Sequence, residues 1–383
     1  MPTKSKGKYS PLLFADSEHN ADMLYLGRVF VPDAFIAFVW NRRSYAVVNR
    51  LEYNRIVNDS DFDKVLSYES LVDAAKQAFK IQRPKPEHLI RLLAKQLDIP
   101  GWQIPQDFPA GIALALRDAG VKLTVAEGST LFPDRETKTD DEAKHIQAGN
   151  AASAAGLRIA QEMLEKAEIS RGYLYLDGKR LTSERVREAI DIACLKKGAV
   201  ASHTIVAGGE QACDPHCTGS GPLRSNELII VDIFPRITQT GYHGDMTRTF
   251  LKGRANDAQR GIANAVNEAQ KAAIATIKAR VKAAKVHAAV EAVFDEAGYK
   301  TQQREDGAYE GFFHSTGHGL GLQVHEAPRL SPLGPNLRSG MVVTVEPGLY
   351  YPGIGGFRTE DVVRVTADGC EYLSSFNYRW ELR

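Results

Sequence analysis

Residues 228–250 read LIIVDIFPRITQTGYHGDMTRTF. Asp232 follows four aliphatic residues, Leu228 to Val231, and Asp245 stands just upstream of Thr247, Thr249 and Phe250. The two acids are 13 positions apart, with Pro235 and Gly241 between them. A hairpin turn there would bring both to the same end of a two-stranded ribbon. An ionised carboxylate in an apolar strand is costly unless a cation or strong donors compensate it. A single acid of this kind is usually a strand-end residue reaching solvent, but the pattern recurs. MVVTVEPGLY places Glu346 after Val342, Val343 and Val345, and GFRTEDVVRV places Glu360 before Val362 and Val363. Four carboxylates inside otherwise apolar strands call for a shared explanation.

The stretch HSTGHGLGLQVHE, His314 to Glu326, adds imidazoles at His314, His318 and His325. Gly317, Gly319 and Gly321 argue against a helix, and so against a zinc helix of the HExxH type. Two divalent ions would neutralise the four carboxylates. Oxygen-rich coordination with a single imidazole suits manganese first, with cobalt or zinc as alternatives. A pair of such ions can hold a water and deprotonate it at neutral pH. Arg358 stands two residues before Glu360, so on a strand it shares that residue's face. Its guanidinium would either grip the free C-terminus of a short peptide or brace the acids.

The rest of the chain frames these segments. A length of 383 residues predicts two domains. With 43% hydrophobic and 25% charged residues and a net charge of +1, the composition is that of a globular protein and makes no case for nucleic acid or an anionic membrane. The basic opening MPTKSKGKYS has no apolar run behind it, so it is expected to be a tail rather than an export signal. Cys194, Cys213, Cys217 and Cys370 then read as reduced thiols of a cytoplasmic protein.

Residues 1–134 are expected to form a small α/β domain for packing or oligomerisation. FIAFVW and SYAVV predict a hairpin over Phe35–Val48, and PEHLIRLLAKQLDI a helix with Pro86 in its first turn. Residues 135–383 are expected to form an α+β domain of two related halves. Thr139 and Glu142 have the spacing of a capping box that opens a helix through Lys166. A second helix is predicted from an N-cap at Ser183, and a third over the whole run from Asn256 to Lys282.

The segments around Asp232 and Asp245, His314–Glu326 and Glu346–Asp361, together with the histidine of CDPHC, resemble the pita-bread metallopeptidases in order and approximate spacing. That group includes Xaa-Pro dipeptidase (prolidase), Xaa-Pro aminopeptidase, methionyl aminopeptidase and creatinase. The resemblance runs from about residue 135 to 383, and the preceding part is similar to a creatinase-type N-domain. It implies that Asp232, Asp245, His318, Glu346 and Glu360 bind two divalent metals. It also implies that His216, His314 and His325 face the substrate.

The expected activity is cleavage before proline in short peptides, foremost Xaa-Pro dipeptides, by a homodimer. Glu346 would shuttle a proton, His325 or His216 would stabilise the oxyanion, and His314 would position the substrate. An aminopeptidase acting on longer peptides is the alternative. A creatinase-like C–N hydrolase or a non-catalytic binding protein would not require the intact ligand set. Two departures stand out. The Asp232–Asp245 spacing is about two residues longer than usual in the group, predicting a longer or bulged hairpin, and Asp-Ile-Phe replaces Asp-x-Gly.

Overall fold

The computed structural model describes residues 9–383, and the chain divides into two compact units after Arg135. All but the last two residues of the basic opening therefore lie outside the described residues.

The first unit is built on a six-stranded sheet in the order 64–67, 43–48, 35–40, 10–15, 102–104, 123–125. The hairpin over Phe35–Val48 turns at Asn41 and Arg42, both at positive φ (48° and 62°), the conformation a two-residue turn needs to match strand twist. Helix Pro86–Gln96 starts on its proline and buries Leu89, Ile90, Leu92 and Leu93 beside Trp102 and Phe38.

The second unit repeats one arrangement: a pair of helices packed on a sheet. In the first half, α1 (Asp140–Lys166) and α2 (Ser183–Leu195) lie on β1 (Ile205–Gly208), β2 (Ile229–Ile233) and β3 (Met246–Lys252). In the second, α3 (Asp257–Thr276) and α4 (Ala283–Glu296) lie on β4 (Gly317–Gly319), β5 (Glu326–Leu330), β6 (Val342–Val345) and β9 (Asp361–Val365). A hairpin of β7 (Gly348–Tyr351) and β8 (Gly355–Arg358) connects β6 to β9. β10 (Cys370–Tyr372) extends the second sheet beyond β9, and β11 (Glu381–Leu382) extends the first beside β3. Each half has its own apolar core. Leu157, Ile190, Val231 and Phe250 belong to one, and Val266, Val290, Val343 and Val363 to the other. Complete burial of such side chains contributes about 1.5–3 kcal/mol each, which is what holds each helix pair to its sheet.

Helix α1 begins with the capping box read from the sequence: Thr139 accepts from the Glu142 amide, and the Glu142 carboxylate accepts from the Thr139 amide. Three expectations need correction. The N-cap of α2 is Thr182, which accepts from the Arg185 amide, and Ser183 is the first helical residue. The third predicted helix stops at Thr276, and a separate helix, α4, follows. Of the four acids, only Asp232 lies inside a strand. Asp245 immediately precedes β3, Glu346 immediately follows β6, and Glu360 lies between β8 and β9.

Register then sets where the acids meet. In the β2–β3 pair, Asp232 faces Thr247, so Asp245 sits at the same end. In the β6–β9 pair, Val345 faces Asp361, which puts Glu346 and Glu360 at one end as well. The Glu360 amide donates to the Thr247 carbonyl at 3.1 Å and joins the two ends.

The loop carrying Asp245 is held against α1 by backbone touching backbone. A Cβ at Gly149 would lie 2.3 Å from the Gly244 nitrogen, and one at Gly244 would lie 2.1 Å from the Gly149 carbonyl carbon. Gly149→Ala is expected to destabilise the protein by about 1–3 kcal/mol, as overpacking does. A denaturation midpoint equal to that of the parent protein would refute this.

Candidate metal centre

His318 enters the centre from β4 with its ring orientation fixed. Its Nδ1 lies 3.1 Å from the Gly319 carbonyl, an acceptor, so Nδ1 carries the proton. The Nε2 lone pair then faces Glu346 Oε1 at 3.3 Å and Asp245 Oδ2 at 3.7 Å. Burial holds the imidazole neutral by lowering its pKa to about 4. A neutral lone pair aimed at carboxylate oxygens repels them unless a cation or a proton lies between. Ligand atoms of Asp245, His318 and Glu360 all lie within 4.8 Å of one another, and all three residues are buried. Asp232 supplies a further sign: its Oδ1 is buried without a hydrogen-bond partner among the described residues. Oxygen donors, one imidazole and an orphaned carboxylate oxygen fit a hard divalent cation.

Each acid is steered from behind. The Asp245 amide donates to Asn150 Oδ1 at 2.9 Å, and Glu360 Oε2 accepts from the Thr247 hydroxyl at 2.8 Å. Glu346 Oε1 accepts from Thr344 at 3.2 Å, and the same hydroxyl accepts from the His318 amide at 3.0 Å. Arg248, on β3, donates to the Glu360 carbonyl at 2.6 Å and pairs with buried Asp361 at 3.0 Å. The same guanidinium reaches the carbonyls of Phe376 and Asn377.

Arg358 is buried and donates to Asp232 Oδ2 at 2.8 Å and to the Tyr350 hydroxyl at 2.9 Å. It therefore braces an acid and a phenol. The Tyr350 oxygen accepts from Arg358, so its own proton is directed to His314 Nε2 at 3.0 Å, while His314 Nδ1 donates to the Ser315 carbonyl at 2.8 Å. Both ring nitrogens of His314 are engaged by the protein, and burial, reinforced by Arg358, lowers its pKa to about 3. His325 is exposed and stands edge-on to His318, with ring centroids 4.4 Å apart. His216 is exposed and follows Pro215, whose carbonyl accepts from Arg358 at 3.4 Å.

Tyr350 and Thr247 were missed as functional candidates in the sequence. Thr247 and Thr249 alternate on β3 directly after Asp245, and that period of two marks them as sharing a face. Thr249 accepts from the Arg358 amide and donates to its carbonyl, so the pair of threonines stitches β3 to β8. Tyr350 has no comparable local signal.

The sequence pattern of metallopeptidase family M24 matches residues 144–367, a span that contains this whole constellation. The chain belongs to metallopeptidase family M24. Membership implies divalent metal ions, and the Asp245–His318–Glu360 set is built to take one. A Xaa-Pro dipeptidase of Pyrococcus furiosus is 34% identical over 219 residues, covering 56% of this chain and 59% of that protein. A putative dipeptidase of Bacillus subtilis, YkvY, is 31% identical over 67% of this chain and 65% of its own length. The matched segment spans about three fifths of the length of the Pyrococcus relatives (59%).

Among solved structures, the prolidase from Pyrococcus furiosus superposes with a TM-score of 0.76 at 24% identity, covering 96% of both chains. A Xaa-Pro dipeptidase from Bacillus anthracis gives 0.79 at 24% identity over 98% of this chain and 95% of that one. The architecture is the pita-bread fold, of α+β class, preceded by an α/β unit. No helix among the described residues is long and apolar enough to cross a membrane.

The M24 acids also predict how the metal-free protein responds to pH. Burial, then Asp232 and Glu346, raises Asp245 well above the usual carboxylate range. Burial, then Asp245, raises Glu360 in the same way, and burial takes Glu346 from 4.5 to about 7. A raised pKa means that the folded state holds protons which the unfolded chain has already released. For Glu346 that contribution is complete below about pH 4.5 and is lost as pH rises through about 7, on the order of 3 kcal/mol. Below about pH 6.5 the depressed His314 and His318 act in the opposite sense, so the melting temperature of chelator-treated protein is expected to fall from pH 7 to pH 8.5, where only the raised carboxylates still differ from the unfolded chain. Added manganese should restore more of it at pH 8.5 than at pH 7. A metal-free melting temperature that rises over that interval would refute the assignment.

Proposed function

We propose that this chain hydrolyses the peptide bond before proline in short peptides, with Xaa-Pro dipeptides as its preferred substrates. The observation that carries the peptidase reading is the His318 lone pair aimed at the carboxylates of Glu346 and Asp245, an arrangement that only a cation or protons can reconcile. The preference for proline is supported by the Xaa-Pro dipeptidases among its relatives. Asp232, Asp245, His318, Glu346 and Glu360 would hold two divalent ions. Manganese suits this oxygen-rich set best, ahead of cobalt or zinc. Such ions, when bound, lower the pKa of a water to near neutrality and polarise a carbonyl.

The chain's own groups complete the chemistry. Glu346, with its carboxyl beside His318, would accept and return a proton. His325, edge-on to His318, and His216, which follows the Arg358-bonded Pro215, are exposed imidazoles, and they suit donation to the developing oxyanion. Burial, reinforced by Arg358, keeps His314 neutral, and with both ring nitrogens bonded to Tyr350 and Ser315 it would position the substrate through its ring. Arg358 holds Asp232 in place, which supports the bracing role over capture of the peptide terminus.

The four free cysteines suit a reducing, cytoplasmic setting. We assign to the first unit a role in packing or in a homodimer, which light scattering would detect as twice the chain mass. The deciding experiment is metal analysis of purified protein, followed by assay on Ala-Pro, Met-Pro, Ala-Ala and a Xaa-Pro tripeptide with and without manganese. The expected result is manganese-dependent cleavage of the proline dipeptides above the others. Preferential cleavage of the tripeptide would make the chain an aminopeptidase, and no cleavage of any peptide with metal bound would overturn the proposal.

A further inference from the structure

Two buried side-chain amides, one in the first helix of each half, hold the backbone that carries the acids. Gln270 lies on α3 and is almost fully buried. Its Nε2 reaches the Val345 carbonyl at 3.2 Å, the Thr359 carbonyl at 3.4 Å and Asp361 Oδ2 at 3.1 Å. Val345 immediately precedes Glu346, Thr359 immediately precedes Glu360, and Asp361 immediately follows Glu360. One amide therefore bridges the two chain segments that present those carboxylates. All three partners are acceptors, so only the nitrogen end can face them and the orientation of the amide is fixed.

Asn150, on α1, is buried as well. Its Oδ1 accepts from the Asp245 amide at 2.9 Å and its Nδ2 donates to the Leu373 carbonyl at 3.0 Å. It sits beside Gly149, where α1 touches the loop before Asp245. Polar side chains inside an apolar helix–sheet interface cost stability unless they are bonded, and both of these are bonded next to the acids.

We infer that Asn150 and Gln270 are positioning residues that set the metal affinity of the centre by fixing the backbone beside Asp245, Glu346 and Glu360. This rests on the metal-centre reading above. Partners behind metal ligands tune affinity because they decide whether the donor atoms are already in place when the ion arrives. Without the bridge, the segments ending in Glu346 and starting at Glu360 can relax apart under the mutual repulsion of their carboxylates.

The test is calorimetric titration of manganese into metal-free protein, together with melting temperatures. Gln270→Met keeps the length of the side chain and removes its donor. Asn150→Asp keeps the acceptor for the Asp245 amide and removes the donor to Leu373, and Asn150→Ala removes both. Gln259→Met is the control: Gln259 is also buried on α3, but it bonds Asn226 and Asn256, away from the acids. The expected result is manganese affinity weakened about 10- to 100-fold in Gln270→Met and Asn150→Ala, and less in Asn150→Asp. Gln259→Met should lower the melting temperature and leave the affinity unchanged.

If Gln270→Met does not fold, the shorter Gln270→Asn takes its place with the same expectation. Variants that lose thermal stability but bind manganese as the parent does would reduce both amides to ordinary core polar groups and overturn the inference. Failure of the parent protein to bind manganese, cobalt or zinc would instead overturn the metal centre itself.

Discussion

Asp245→Asn is expected to remove Ala-Pro hydrolysis by on the order of 10³-fold or more, while making the metal-free protein more stable at pH 8. The substitution preserves shape. The Asp245 amide keeps its bond to Asn150, so the loop stays in place. What disappears is one negative charge from a group in which burial, then Asp232 and Glu346, raise the pKa of Asp245, and burial, then Asp245 and Glu346, raise that of Glu360. The carboxamide is a poor ligand for a divalent ion, so activity is lost together with metal uptake. The repulsion that weakens the metal-free fold at high pH falls at the same time. Activity against dipeptide at saturating manganese and melting temperature in chelator are the two measurements. A variant that turns over dipeptide within tenfold of the parent would remove Asp245 from the centre.

Arg358→Met is expected to cost the metal-free protein about 3–5 kcal/mol, the usual effect of leaving one partner of a buried ion pair alone. Asp232 would lose its countercharge at 2.8 Å, and Tyr350 would lose the donor that directs its proton to His314. Manganese should recover part of the loss, because a cation beside Asp232 replaces the missing charge. Denaturant melts with and without manganese measure this directly. A raised KM for dipeptide with stability intact would instead mean that Arg358 grips the substrate.

Much of the centre could be read from the sequence because its acids sit in local runs with a contrast in polarity. Asp232 after four aliphatic residues is conspicuous wherever the strand lies. The ends of the strands were harder to place, since a period of two does not say where pairing stops. Pro347 after Glu346 was the signal that β6 ends there, as a proline cannot donate to a ladder.

The cap of α2 and the end of α3 were misplaced for a related reason. Residues 277–282 continue the alternation of charged and aliphatic residues. Yet Arg280 adopts a φ of 70°, and its amide bonds the Leu337 carbonyl from a distant segment. Tertiary contacts stop α3, and α4 then begins without a side-chain cap to mark it. Thr182 and Ser183 are adjacent hydroxyl residues, and only the geometry distinguishes the cap. Asn150 and Gln270 were invisible because a polar residue on an amphipathic helix reads as solvent-facing until its neighbours are known.

The grasp of Arg248 on Phe376 and Asn377 bears on how the protein should be handled. The same guanidinium also bonds the Glu360 carbonyl, so residues 376–377 and the segment carrying that acid share one anchor. Trimming the chain before Phe376 would take both carbonyls away from Arg248 and loosen its hold beside Glu360, whereas a cut after Asn377 would spare them.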